Sequence, residues 1–126
     1  LTALRGELDA TETERGLLFT LGGDIMFDVG RSELRAGANQ RLSRLAGFLA
    51  AYPERRIRIE GHTDSVGSAG SNLTLSSARA DSVRNAFLAD GIAAERLESH
   101  GNGSDLPVAS NETSAGRQQN RRVEVL

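Results

Sequence analysis

The sequence predicts an α+β fold, a β-α-β-α-β-β sandwich in which two main helices pack on one mixed four-stranded sheet. Three observations carry that expectation. Strand-length apolar or alternating runs stand at 17–21, 56–60, 96–100 and 123–125, while apolar residues in two longer segments, 34–52 and 72–89, recur at helical spacing. Glycine, proline and small polar residues punctuate the boundaries between them. The interleaving of strands with helices, and a last strand after a long loop, then favours helices layered on one sheet.

Each element has its own signal. Leu17 to Leu21 (LLFTL) is an apolar run closed by Gly22 and Gly23, the pattern of a buried strand and a turn. Ile25 to Phe27 forms a short apolar piece that runs into a turn at Asp28–Gly30. Leu42, Leu45, Ala46, Phe48 and Leu49 share one helical face, and Pro53 stops that helix. Arg56 to Glu60 alternates, with Ile57 and Ile59 facing inward and Arg56, Arg58 and Glu60 outward. Residues 65–71 are small and glycine-rich and read as a loop; Asn72 to Ala89 is the second helix, with Gly91 just past its end. A strand over 96–100, a loop over 101–111 containing Pro107, a helical turn over 113–119 and a strand at Val123–Val125 complete the chain. Residues 1–15 are polar, with Leu1, Leu4 and Leu8 at helical spacing. They read as a linker or the end of an upstream helix, which leaves 16–126 as the folded domain.

Composition narrows the functions. A chain of 126 residues, 38% hydrophobic and 25% charged, has the size of one domain with a modest core. Lys+Arg 15 against Asp+Glu 17, with 4% aromatics and no Trp, argues against a nucleic-acid binder. The absence of cysteine excludes disulfides, thiolate metal sites and thiol nucleophiles. No apolar run approaches the length of about 20 residues that spans a bilayer. The chain opens at Leu1 without a basic segment followed by an apolar core, so it is expected to be a piece of a longer protein with any targeting or anchoring segment upstream.

Chemistry by a catalytic constellation finds little support. There are two histidines, His62 and His100, and no G-x-S-x-G elbow. His62 and Asp64 supply two metal ligands where a site wants at least three, so no metal site is expected. Gly101-Asn-Gly103 lacks the rest of a phosphate loop. Arg117, Arg121 and Arg122 read as a solvated charged face, with Arg122 in the outward phase of Glu124.

One residue does not fit its own helix. Projected at about 100° per residue, Leu75, Val83, Ala86 and Phe87 define an apolar face, and Ser77, Asp81, Arg84 and Asn85 lie opposite. Arg79 falls on the apolar stripe, and Asn72 lies near the same line. A guanidinium that points at a sheet requires a partner. The nearest carboxylate in sequence is Asp64, at the exit of the preceding strand. Two readings stand: an internal Asp64–Arg79 salt bridge that staples loop to helix, or an open clamp in which Asp64 takes an ammonium and Arg79 a carboxylate.

The stretches IEGHTDSVGSAGSNLTLSSARADSVRNAFLADGI (59–92) and GNGSDLPVASNETSAGRQQNRRVEV (101–125) resemble the OmpA-like C-terminal, peptidoglycan-associating domain. The steps G-H-T-D, N-x-x-L-S-x-x-R-A, P-V-A-x-N-x-T, G-R and N-R-R-V-E carry the resemblance, and Phe27, Leu34 and Pro53 extend it more loosely over 17–57. The resemblance implies a noncatalytic domain without cofactor. It would bind the diaminopimelate of peptidoglycan stem peptides in the periplasm and anchor an outer-membrane or other envelope protein to the wall. It implies that Asp64 and Arg79 hold the free end of diaminopimelate, that Asn72 matches the asparagine at the helix start, and that Phe27 and Asp28 border the groove. Thr63, Leu73 and Arg122 match pattern positions nearby. A helix cap remains open for Asn72, and core packing for Phe27. The parent type stays open among lipoprotein, β-barrel porin and flagellar stator, with membrane attachment only through a missing N-terminal region. The rival role is a structural spacer or dimerisation domain, with a homodimer formed through residues 1–15, in which the Asp64–Arg79 pair is only a staple.

Overall fold

The computed structural model describes residues 10–13 and 16–126. Strands β1 (Ala10–Thr13), β2 (Gly16–Gly22), β3 (Ile57–His62), β4 (Leu97–Gly101) and β5 (Arg122–Val125) form one sheet in the order β1-β2-β5-β3-β4. The β3–β4 pair is parallel and the other pairs are antiparallel. The helices are α1 (Gly23–Met26), α2 (Ala38–Ala50), α3 (Ala69–Ala89) and α4 (Ser114–Asn120). The fold is thus the α+β arrangement that the sequence predicts, with β2, β5, β3 and β4 as its four-stranded mixed sheet. β1 is added at the edge. Residues 10–13 are extended rather than linker or helix, and Leu1, Leu4 and Leu8 lie outside the described residues.

Leu42, Leu45, Ala46, Phe48 and Leu49 of α2 are all buried, as their spacing requires. With Ala80, Val83 and Phe87 of α3 they meet Phe19, Leu21, Ile57, Ile59, Val123 and Val125 of the sheet. Phe19 and Phe48 pack edge-on, with centroids 5.3 Å apart. α3 lies across β3 and β4 at unusually close range. A Cβ built on Gly61 would stand 2.1 Å from the Ser76 carbonyl oxygen, and one on Gly101 2.4 Å from the Ser77 nitrogen. Only glycine on both strands lets the helix backbone descend that far. This descent sets the height at which the Arg79 side chain leaves the helix.

Two details differ from the sequence reading. α3 begins three residues earlier, at Ala69, because Ser68 accepts from the Ser71 N–H and caps it. Glu60, in the outward phase of β3, is nevertheless buried, as are His62 and Arg122 in the same phase. The chain near Leu106 crosses that end of the outer face, where the Leu106 carbonyl accepts from Arg122 at 2.9 Å.

Candidate functional site

The exit of β3 holds the first part of the site. Beyond His62 the chain pairs with the loop after β4, the Thr63 N–H donating to the Gly103 carbonyl at 2.8 Å and the Asn102 N–H to that of Gly61 at 2.9 Å. Thr63 is buried, and its hydroxyl donates to the Asp64 carbonyl at 2.8 Å. Asp64 Oδ1 accepts the Val66 N–H at 3.0 Å, a local turn that fixes the carboxylate against the loop. Asn72, in the first turns of α3, donates from Nδ2 to the Val66 carbonyl at 3.0 Å and to that of Asp64 at 3.4 Å. Its side chain therefore ties down the loop, and Ser68 is the cap. Leu73, beside it, is 49% exposed on the flank.

Arg79 organises the second part. It lies on the buried stripe of α3, 5% exposed, with its guanidinium carbon 4.8 Å from the centroid of the buried Phe27 ring. Nε donates to the Arg31 carbonyl at 2.8 Å and Nη2 to the Asp28 carbonyl at 3.2 Å. The loop between Phe27 and Leu34, closed by a bridge between those two residues, thus offers Arg79 its backbone oxygens. The Asp28 side chain points away, 69% exposed, with an oxygen 3.6 Å from Arg35 Nε. Burial lowers the Arg79 pKa; the Asp24 charge opposes that shift, Arg121 adds to it, and Asp64 opposes it.

The expected face-to-face Asp64–Arg79 pair is not formed. Asp64 is salt-bridged to Arg121 instead, Nη1 to Oδ2 at 2.7 Å. The remainder of the Arg121 fork meets Asp24, Nε to Oδ1 at 3.0 Å and Nη2 to Oδ2 at 2.9 Å. The physical reason is reach. Asp24, on the one-turn helix α1, and Asp64 both lie beside the start of β5, so one guanidinium spans the two carboxylates. Hydrogen bonding to Arg121 holds the Asp24 carboxyl below its ordinary value, and the two carboxylates raise the Arg121 pKa. The reading of Asp64–Arg79 as an internal staple is corrected accordingly.

Arg122 is placed elsewhere. It is 4% exposed and bonded to Glu124 at 2.6 Å, to the Asn120 carbonyl at 3.1 Å and to the Leu106 carbonyl, all on the outer sheet face. The residue the sequence reading missed is its neighbour Arg121, read there as part of a solvated charged face. The N-R-R step contains it, but its partners lie 57 and 97 positions away and no periodicity joins them.

Around the β3 exit two carboxylates and two guanidiniums therefore gather, Asp24 and Asp64 with Arg121 and Arg79. Three are mutually paired. Arg79 makes no salt bridge with a carboxylate among the described residues, and its Nη1 has no hydrogen-bond partner among them. Such a site can take a zwitterion, with the anionic end on Arg79 and the cationic end on the spare lone pairs of Asp64.

Comparison with known proteins bears on this geometry. The OmpA family profile matches residues 26–121. The chain is similar to outer membrane porin F of Pseudomonas fluorescens, 42% identical over 101 residues, covering 80% of this chain and 31% of the porin. It is similar to the peptidoglycan-binding protein ArfA of Mycobacterium tuberculosis, 41% identical over 105 residues, covering 83% of this chain and 32% of ArfA. A crystal structure of a putative MotB-like protein from Desulfovibrio vulgaris superposes with a TM-score of 0.89 at 31% identity, covering 98% of this chain and 81% of that one. The chain spans about a third of the length of the two curated relatives.

Proposed function

The chain belongs to the OmpA family, and from that premise we propose that it binds peptidoglycan and anchors an envelope protein to the cell wall. In this reading Arg79 and Asp64 receive the carboxylate and ammonium at the free end of diaminopimelate in the stem peptide. The role is one of binding, not catalysis. The setting is the periplasm, with the anchored protein being the longer chain of which this domain forms part.

The observation that carries the proposal is the state of Arg79. Arg79 is 5% exposed, and among the described residues its guanidinium is contacted directly by carbonyl oxygens and an aromatic ring but by no carboxylate. Leaving a buried charge without a counterion costs several kcal/mol, and a ligand carboxylate supplies that counterion. Phe27 and the loop carbonyls hold the fork in position, and the Asp24–Arg121 pair holds Asp64. The peptidoglycan-binding name of the mycobacterial relative supports the same class of ligand.

Co-sedimentation with purified sacculi tests this, using wild type, Asp64→Asn and Arg79→Met after folding is checked by circular dichroism. A lost charge-assisted hydrogen bond of about 1.5–3 kcal/mol lowers affinity by roughly 10- to 100-fold. Folded variants that pellet as the wild type does would overturn the assignment.

A further inference from the structure

The outer face of β3 carries a second cluster that the wall-binding site does not use. Pairing of β3 with β5 sets Glu60 opposite Glu124 and His62 opposite Arg122. One oxygen of each glutamate is held by an arginine: Oε2 of Glu60 by Arg58 Nε, and Oε2 of Glu124 by Arg122 Nε at 2.6 Å. Their other oxygens turn toward the His62 ring, Glu60 Oε1 lying 3.8 Å and Glu124 Oε1 3.6 Å from Nε2. His62 is 2% exposed, and neither of its ring nitrogens has a hydrogen-bond partner among the described residues. The three potential ligand atoms lie within 4.8 Å of one another.

We propose that Glu60, His62 and Glu124 form a binding site for a divalent transition-metal cation, with zinc the ion that the donor set fits best. An imidazole nitrogen and two carboxylate oxygens are a zinc donor set, and an inward turn of the two carboxylates brings their oxygens to bond lengths of about 2.0–2.2 Å. The buried, unpartnered imidazole is the observation that points to a ligand. Leaving a polar group buried without a partner is costly, and a cation at the centre of the triangle would satisfy Nε2. Arg58 and Arg122 act as orienting neighbours, each fixing one oxygen of its glutamate. Glu124, whose side chain is 13% exposed, forms the side open to solvent, where a water completes the coordination. The imidazole biases the site away from magnesium and calcium, which favour all-oxygen shells. Because two guanidiniums balance the two carboxylates, affinity derives from directed ligands rather than net charge.

The test is zinc chloride titrated into the chelator-stripped domain, followed by thermal unfolding and by the imidazole nitrogen resonances of His62. At zinc 100-fold above Kd the midpoint is expected to rise by about 5–10 °C, with a shift of the His62 Nε2 resonance and no comparable rise with magnesium chloride. The gain should persist in His100→Asn, which removes the exposed histidine, and vanish in Glu124→Gln. An unchanged His62 ring in the wild type at millimolar zinc would overturn the site, whatever the variants do. So would a thermal gain that His100→Asn abolishes, or an equal gain with magnesium.

Discussion

At Arg79 the cost of burial and the use of the residue point in opposite directions for fold and function. Its guanidinium touches no counterion among the described residues, so replacing it with an apolar chain of similar length relieves a desolvation penalty as well as removing two bonds to carbonyls. Arg79→Met should therefore unfold in urea within about 1 kcal/mol of wild type while losing its hold on sacculi. A staple would show the reverse, a large loss of stability with unchanged binding. Arg121 makes the opposite case. Arg121→Ala removes the bridge between Asp24 and Asp64, and sacculus binding should decline by a smaller factor than in Arg79→Met, because Asp64 loses its orientation but keeps its charge. Arg79 and Asn72 were legible in the sequence because helical periodicity is local and α3 is long. The partners of Asp64 were not, because they are set by where a one-turn helix and the start of a strand happen to meet.

Between elements, the approach of α3 to the sheet is the dimension that places Arg79 over Phe27. Gly61 and Gly101 permit it, and a methyl group at either position collides with helix backbone or with Ser77. Gly61→Ala should lower stability by about 1–3 kcal/mol, read from urea midpoints, and should weaken sacculus binding more than the stability change accounts for, since the helix must lift. The loop before β5 depends on a different device. Asn120, fully buried, accepts from the Val108 and Ala109 N–H groups and donates to the Ala109 carbonyl and Asn111 Oδ1. Asn120→Ala leaves those groups unpaired and should cost about 2–3 kcal/mol in the same measurement. Strands β2 to β5 were readable from alternation and turn residues. β1 was not, because four residues of mixed polarity at a sheet edge carry almost no periodic signal. The burial of Glu60 was hidden for a related reason: alternation assigns a face, and only the crossing of the chain near Leu106 decides whether that face is wet.

At the scale of the whole molecule, the buried charges among the described residues gather at the β3 exit and on the outer face of the sheet. The His62 ring 3.6 Å away and the Arg122 guanidinium hold the Glu124 carboxyl at about 2, against the opposing effect of burial, from an ordinary 4.5. A carboxylate depressed on folding contributes stability that is fully present above 4.5 and is lost as pH falls toward about 2. In metal-free buffer the wild type should lose stability across that window, and Glu124→Gln should show a shallower dependence. Retention on sacculi should also fall as salt rises, since the attraction between the site's charges and an approaching ligand is screened beyond about 10 Å at 0.1 M salt. The central claim is that Arg79 receives a carboxylate of the ligand. It is tested most directly by calorimetry of wild type and Arg79→Met against two stem peptides, one with the free diaminopimelate carboxylate and one with that group amidated. Wild type should prefer the free acid by about 10-fold or more, and Arg79→Met should bind both peptides equally weakly. A wild-type domain indifferent to amidation, or an Arg79→Met variant that keeps the full preference, would contradict it.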